Sequence, residues 1–366
     1  MQKKAVVILI CCVTLILSYP SLVKGYEGQV SAQQAVAIDA TTGRVLFDKD
    51  MDRPRPIASI TKVMTALLAI EYGNLEEKVN VSKAATEVEG SSIYLEENEK
   101  MTLEDLLYGL MLRSGNDAAI AIAEHIGGSE EGFVHLMNEK AQYIGMTNTN
   151  FANPHGLDEE GHYSSAYDIA LLMKHAMENE LFQKISGTTS YLSKNREYKW
   201  FNKNKLLTKL YPHCTGGKTG FTRKAGRTLV TTAERDGISL IVVTLNAGDD
   251  WNDHISLYEY FFSHLEPKVL EKKGNRSVSF QGWEDREVWV DETIILPLSK
   301  EEETRLQKQI LVKRAPSTKK VGYLQIELDD EPVMTVPLYE KKPFYFILFD
   351  ELSQAFNYMI GYERDG

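Results

Sequence analysis

Ser59 and Lys62 stand three positions apart at the head of an otherwise apolar segment, Ile57-Ala58-Ser59-Ile60-Thr61-Lys62-Val63-Met64-Thr65-Ala66-Leu67-Leu68. On a helix, positions i and i+3 share a face one turn apart, so the Ser59 hydroxyl and the Lys62 amine would meet within hydrogen-bond reach. A serine hydroxyl is a weak nucleophile until a neighbour takes its proton. Lysine does that only when neutral, which needs burial or a second cation nearby. The spacing alone says little. Ser-x-x-Lys recurs at Ser21/Lys24 and Ser317/Lys320, and a polar start to a core helix has the same appearance.

Two other patches carry candidate chemistry. Ser114-Gly115-Asn116 interrupts two apolar helical stretches, and a polar trio in such a break can aim its side chains into a cleft. Its plain alternative is an N-cap serine with a turn asparagine, and Ser193-Lys194-Asn195 repeats the triplet. Lys218-Thr219-Gly220 follows Gly216-Gly217 and precedes strand-like sequence. On an edge strand Lys218 offers charge, Thr219 a hydroxyl, and Gly220 lets a substrate backbone come close. A lysine-glycine turn would read the same way.

These patches need elements to hold them. Residues 34–39 and 44–48 read as short strands turning at Thr41-Thr42-Gly43. The Ser59 helix follows, with Gly73 as its C′ residue. Residues 75–101 read as short strands and loops anchored by Val79, Val81, Ile93, Tyr94 and Leu95. Thr102 to Asp105 resembles a capping box, and helical spacing runs on to the break at Arg113–Asn116, resumes over 118–126 and recurs over 133–144. A loop at 151–165 contains Asn153-Pro154-His155-Gly156, and helices return over 166–178 and 180–186. From about 190 the pattern turns to strands, with 224–234 and 238–245 pairing across Arg235-Asp236-Gly237 before an aromatic helix at 251–264. A sheet built from the first and last hairpins, with helices between, is an α+β plan.

The chain's 366 residues call for about two domains. The boundaries read as a signal peptide at 1–25, a catalytic domain at 26–266, a small all-β domain at 267–340, opening on a charged linker at 267–274, and an amphipathic C-terminal helix at 341–366. Lys3 and Lys4 precede an apolar run from Ala5 to Leu17, and Val23-Lys24-Gly25 fits a cleavage site, which predicts export. After cleavage one cysteine remains, Cys214, so no internal disulfide and no thiol pair for a metal is expected. A net charge of −11 without a basic run argues against nucleic acid as a partner. After Pro343 an apolar stripe at helical spacing, Phe344 to Ile360, fits a membrane interface. Asp350 and Glu351 weaken that reading, and docking on the β domain is the alternative.

Ser-x-x-Lys, Ser-x-Asn and Lys-Thr-Gly in this order carry a resemblance. The chain resembles the D-alanyl-D-alanine carboxypeptidases, the low-molecular-mass penicillin-binding proteins, from about residue 31 to 340. The likeness extends to Leu112-Arg113-Ser114-Gly115-Asn116-Asp117-Ala118, Pro154-His155-Gly156-Leu157 and Gly217-Lys218-Thr219-Gly220-Phe221-Thr222. Tyr211-Pro212 and Trp251-Asn252-Asp253-His254 are most similar to the sporulation-type members of Gram-positive spore formers. The resemblance implies a β-lactamase/transpeptidase-like domain, an antiparallel sheet flanked by a helical region. It implies no cofactor and no metal.

The resemblance also implies roles. Ser59 would attack the penultimate D-alanine of a peptidoglycan stem peptide ending in D-Ala-D-Ala, and Lys62 would take its proton. Ser114 would relay a proton to the leaving D-alanine, and Asn116 would hold the peptide amide. Lys218 and Thr219 would meet the terminal carboxylate beside Gly220, while the backbone N–H groups of Ser59 and Phe221 would form an oxyanion hole. β-Lactam antibiotics would acylate the same serine, and the enzyme would sit peripherally on the outer face of the cytoplasmic membrane or of a spore membrane. Members of the family place an arginine in the late loop. Here that loop reads Asn246-Ala247-Gly248-Asp249-Asp250, which leaves Arg223 or Arg227 as substitutes. A β-lactamase shares the trio and needs a loop glutamate, for which Glu159 and Glu160 are available. A penicillin-acylated sensor without peptide turnover is the non-catalytic alternative. His155 reads as support and Cys214 as a buried strand residue.

Overall fold

A computed structural model describes residue 26 and residues 28–278, 286–312 and 320–340. The expected signal peptide and C-terminal helix lie outside the described residues. The chain divides into two compact units, one ending at Glu266 and the other starting at Pro267.

The first unit is built on a five-stranded antiparallel sheet. β1 (Gln34–Asp39) and β2 (Val45–Lys49) form the first hairpin. The Asp39 carboxylate accepts the Thr41 and Thr42 amides inside its turn. α1 (Lys62–Tyr72) follows a single 3-10 turn, Ala58–Thr61. β3 (Lys78–Asn80) pairs with β4 (Lys100–Thr102), and α2 (Lys83–Glu87) lies between them. α3 (Leu103–Tyr108), α4 (Asn116–Gly127), α5 (Glu130–Tyr143), α6 (Ala166–Ala176) and α7 (Glu180–Ser186) make the helical region. The short β5 (Ser190–Tyr191) and β6 (Trp200–Phe201) pair with each other. β7 (Cys214–Thr222), β8 (Gly226–Arg235) and β9 (Ile238–Leu245) complete the sheet, and α8 (Asp250–His264) closes the unit. The strand order is β2-β1-β9-β8-β7, so β7 is an edge.

Both faces of this sheet are covered. Val36, Ile38, Val230, Ile241 and Val243 pack with the helical region. Their alternate neighbours Ala35, Ala37, Leu229, Leu240 and Val242 pack on Leu257, Tyr258 and Phe261 of α8. That is why all six residues of β1 are buried and no polar alternation marks the strand. Asp236 and Gly237 both take positive φ between β8 and β9, the geometry that a two-residue hairpin loop needs. α1 is buried along Lys62–Ala69, as expected of a helix that is apolar all round.

Several local expectations are corrected. Ser59 sits in the 3-10 turn ahead of the helix, not within it. Gly73 is extended (φ −102°) and is a glycine because a Cβ there would come within 2.3 Å of Leu103 Cδ2. Tyr94 is no anchor. It is 77% exposed, turned outward between Ile93 and Leu95, whose amides are both bound to Asp117. A helix, α2, occupies part of the stretch read as strands and loops, and a π-helical turn, Leu206–Leu210, interrupts the later strands.

In the second unit, β10 (Glu266–Glu271) takes up most of the segment read as a linker. It pairs with β13 (Ile294–Leu298). The order of the other sheet is β11-β12-β16-β15-β14, with β11 (Gly274–Val278), β12 (Arg286–Val290), β14 (Leu306–Val312), β15 (Lys320–Leu328) and β16 (Glu331–Glu340). One short helix, α9 (Lys300–Glu303), departs from the all-β expectation. Ser299 and Glu302 cap it reciprocally. Leu296, Ile326 and Val290 are central in its core.

The α8 face of the first sheet gives a stability prediction. Phe261→Ala removes a fully buried ring and should cost about 3–5 kcal/mol, measured as a lower urea midpoint for the first unit.

Candidate active site

The backbone presents Ser59 before any side-chain chemistry is considered. Ala58 adopts a left-handed φ of 51°. The Ile57 carbonyl accepts the Thr228 hydroxyl at 2.8 Å, and the Ala58 carbonyl accepts the Thr61 hydroxyl at 2.8 Å. Gly156 packs so tightly that a Cβ there would lie 2.0 Å from the Ala58 carbonyl oxygen. The turn that results is 3-10, with three residues per turn, so residues i and i+3 eclipse. Ser59 Oγ and Lys62 Nζ are therefore 3.1 Å apart.

Lys62 is fully buried. Its Nζ lies 2.7 Å from Asn116 Oδ1 and 2.5 Å from the His155 carbonyl. Desolvation, then the like charges of Lys218 and Lys203, hold its pKa well below the ordinary lysine value, against a smaller opposing pull from Asp117. A neutral amine has two N–H donors and one lone pair. The two oxygens take the donors, which leaves the lone pair for the Ser59 hydroxyl.

The helix break places the second patch. A π-helical turn, Gly109–Arg113, ends in Ser114, which is left-handed at φ 64°, and α4 restarts at Asn116. Ser114 is buried and receives Lys218 Nζ at 3.0 Å. Asn116 donates its Nδ2 to the Glu89 carbonyl at 2.6 Å and its backbone N–H to the Ser91 carbonyl at 2.7 Å. Asp117 braces the same loop, accepting the Ser92 hydroxyl and the amides of Ile93 and Leu95.

The third patch is on the sheet edge. Lys218, Thr219 and Gly220 pair with Val230, Leu229 and Thr228 of β8. Lys218 is buried and pushed down to about 7, by desolvation and then by Lys203. A Cβ on Gly220 would come within 2.8 Å of the Ser59 backbone nitrogen and 2.4 Å of Thr228 Oγ. The strand and the nucleophile turn touch only because this residue has no side chain. A cleft of about 430 Å³ opens here, lined by Ser59, Ser91, Ser114, Lys203, Thr219 and Gly220, with Phe221, Arg227 and Trp251 at its border.

All eight expected site residues thus cluster around one cleft, with the Phe221 side chain 66% exposed at its rim. Of the two candidate arginines, Arg227 lines the cleft, ion-paired with Asp250 and 5.6 Å above the Trp251 ring. Arg223 does not line it. His155 supports: its carbonyl receives Lys62, its Nδ1 accepts the Leu157 amide, and burial lowers its pKa to about 3. Cys214 is buried, its thiol pushed up to about 11. Glu159 accepts the Asn153 side chain, and neither it nor Glu160 lines the cleft. Ser91 and Lys203 were not singled out by sequence. Each lies in a polar stretch, Gly90-Ser91-Ser92 and Asn202-Lys203-Asn204, that reads as surface loop.

The pattern of the D-alanyl-D-alanine carboxypeptidase family matches residues 22–249. The chain belongs to that family. It is 36% identical over 331 residues to the D-alanyl-D-alanine carboxypeptidase DacF of Bacillus subtilis, covering 85% of each chain. Among solved structures it is similar to penicillin binding protein 5 from Haemophilus influenzae (TM-score 0.73, 27% identity, 86% of this chain and 97% of that one). It is also similar to the D-alanyl-D-alanine carboxypeptidase from Mycobacterium tuberculosis (TM-score 0.62, 32% identity, 67% of this chain and 95% of that one). The first unit has the transpeptidase-like fold, and the enzyme is a carboxypeptidase of the penicillin-binding class.

The carboxypeptidase should not tolerate a side chain at 220. Gly220→Ala should slow acylation by benzylpenicillin about a hundredfold or more by displacing the Ser59 turn, read as the second-order rate constant.

Proposed function

We propose that Ser59 is the nucleophile and Lys62 its general base in removing the terminal D-alanine from peptidoglycan stem peptides. The observation that carries this is the 3.1 Å contact between Ser59 Oγ and an amine whose pKa burial holds well below that of a free lysine. Lys62 takes the hydroxyl proton as Oγ attacks the penultimate D-alanine carbonyl. The backbone N–H groups of Ser59 and Phe221 stabilise the oxyanion. Ser114, backed by Lys218, passes a proton to the departing D-alanine amine, and the acyl-enzyme forms. Asn116 has one amide N–H left after bonding Glu89, and it holds the peptide upstream of the cleaved bond. Thr219, with Lys218 behind it and Arg227 alongside, receives the terminal carboxylate. Water then releases the shortened peptide. A penicillin acylates Ser59 by the same attack.

Intact mass spectrometry tests the nucleophile. Benzylpenicillin should give one covalent adduct mapping to the Ser59 peptide. Ser59→Ala should give none, and an adduct retained in that variant refutes the assignment.

The pH profile tests the base. The neutral amine is the active form, so acylation falls as pH drops through the Lys62 pKa, which lies well below that of a free lysine. His155 and His162, lowered to about 3 and about 4, do not set this limb. Lys218→Met removes a like charge, raises the Lys62 pKa and should move the acid limb to higher pH. An unmoved limb excludes Lys62 as the titrating group.

The same proposal extends to location. The apolar run at 5–17 and the stripe after Pro343 support export and peripheral attachment to the outer face of the membrane, and the sporulation-type motifs support action during spore formation. Deleting residues 341–366 should move the enzyme from the membrane to the soluble fraction. Unchanged partitioning rejects that anchor.

A further inference from the structure

One wall of the cleft has no part in the reaction above. Lys203 lines the cleft together with Ser59 and Ser114, and its Nζ donates to Ser91 Oγ at 3.0 Å. The Lys203 backbone N–H donates to the Leu112 carbonyl at 3.2 Å, and Arg113 reaches back to the Phe201 carbonyl at 3.4 Å. These two contacts stitch the segments together, close enough for the Arg113 charge to act on Lys203. Burial, then the charge of Arg113, lowers the Lys203 pKa.

Neither cation is ion-paired with a carboxylate among the described residues. The arginine that lines the same cleft is paired: Arg227 with Asp250. The chain holds 52 acidic residues against 41 basic ones, so the lack of a counter-ion here is not for want of acids. Adjacent like charges repel, and an incoming anion relieves that repulsion.

The geometry points to a carboxylate-binding subsite, made by Lys203 and the Ser91 hydroxyl in the cleft wall with the Arg113 charge behind Lys203, that takes an anionic group carried by the substrate upstream of the cleaved bond. The Ser91 hydroxyl accepts from Lys203, so its own proton is free to donate outward. The upstream placement follows from Asn116, which is bonded to the carbonyls of Ser91 and Glu89. This part of the inference rests on the proposed roles of Ser59 and Asn116. The terminal carboxylate belongs on the opposite wall, at Thr219.

The test uses three peptides with a common Lys-D-Ala-D-Ala core. The first carries a neutral acetyl cap upstream, the second an anionic succinyl cap. The third is acetyl-capped and ends in D-alanine amide. Lys203 also bears on Lys62 and Lys218, so its removal slows every substrate, and the readout is the ratio of kcat/KM values. The wild type should favour the succinyl over the acetyl peptide about tenfold, equivalent to about 1.4 kcal/mol. Lys203→Gln and, separately, Arg113→Gln should bring that ratio towards one, and Lys203→Arg should keep it. Salt near 1 M, where the screening length is about 3 Å, should collapse the ratio in the wild type, a readout that needs no variant to fold.

A wild-type ratio of one, or a ratio unchanged in both glutamine variants, overturns the subsite. So does a Lys203→Gln enzyme that instead loses discrimination between the acid and amide termini, because the carboxylate concerned is then the terminal one. Failure to cleave the acetyl peptide, together with no penicillin adduct, overturns the Ser59 reading and the subsite with it. Cleavage without the preference overturns the subsite alone.

Discussion

The site depends on burying two lysine side chains where no carboxylate meets them. An ammonium in a low-dielectric interior is costly unless paired. Lys62 finds two oxygens of neutral groups and a serine, and Lys218 finds a serine and a carbonyl. Hydrogen bonds are satisfied, but charge is not. The result is an amine disposed to accept a proton, and the Lys218 charge makes a charge on Lys62 less favourable. A single aspartate inserted between them would pair the charges and remove the basicity. Asp117 is nearby, but its oxygens are occupied by Ser92 and by the amides of Ile93 and Leu95.

The rest of the first unit can be read as support for that arrangement. The sheet must present β7 at an edge, because only there can Thr219 and Gly220 face a cleft and not another strand. The helical region must be broken between α3 and α4, because a continuous helix would turn Ser114 and Asn116 to different faces. The 3-10 turn must precede α1, because it superimposes Ser59 on Lys62. Gly156 and Gly220 mark the two places where backbones come so close to this turn that a methyl group would not fit.

Much of this was legible in the sequence, for physical reasons. The three patches were visible because reactive polar residues interrupt apolar runs, and strand and helix periods separate cleanly around them. The β8–β9 hairpin was visible in Asp236-Gly237. What escaped were features decided by long-range packing. Whether Ser59 lay in an α-helix or a 3-10 turn depended on Thr228 and Gly156, far away in the chain. Tyr94 read as core because its neighbours Ile93 and Leu95 are core, and only the amides gathered by Asp117 show why it turns out. Gly73 was legible as the end of the helix, but a sequence cannot tell a conformational glycine from one that makes room for Leu103. Lys203 gave no signal, because its role comes from Ser91 and Arg113, which the fold alone brings near.

The register Gln34↔Leu245 joins the first strand to a partner more than two hundred residues downstream. A nascent chain therefore cannot close this sheet until nearly the whole first unit has been synthesised, and closing so large a loop makes folding slow. Until then β1 and β2 stand as a lone hairpin, and the serine has no second lysine beside it. The sheet that carries the site is thus incomplete in any chain that has not yet been extended through its ninth strand.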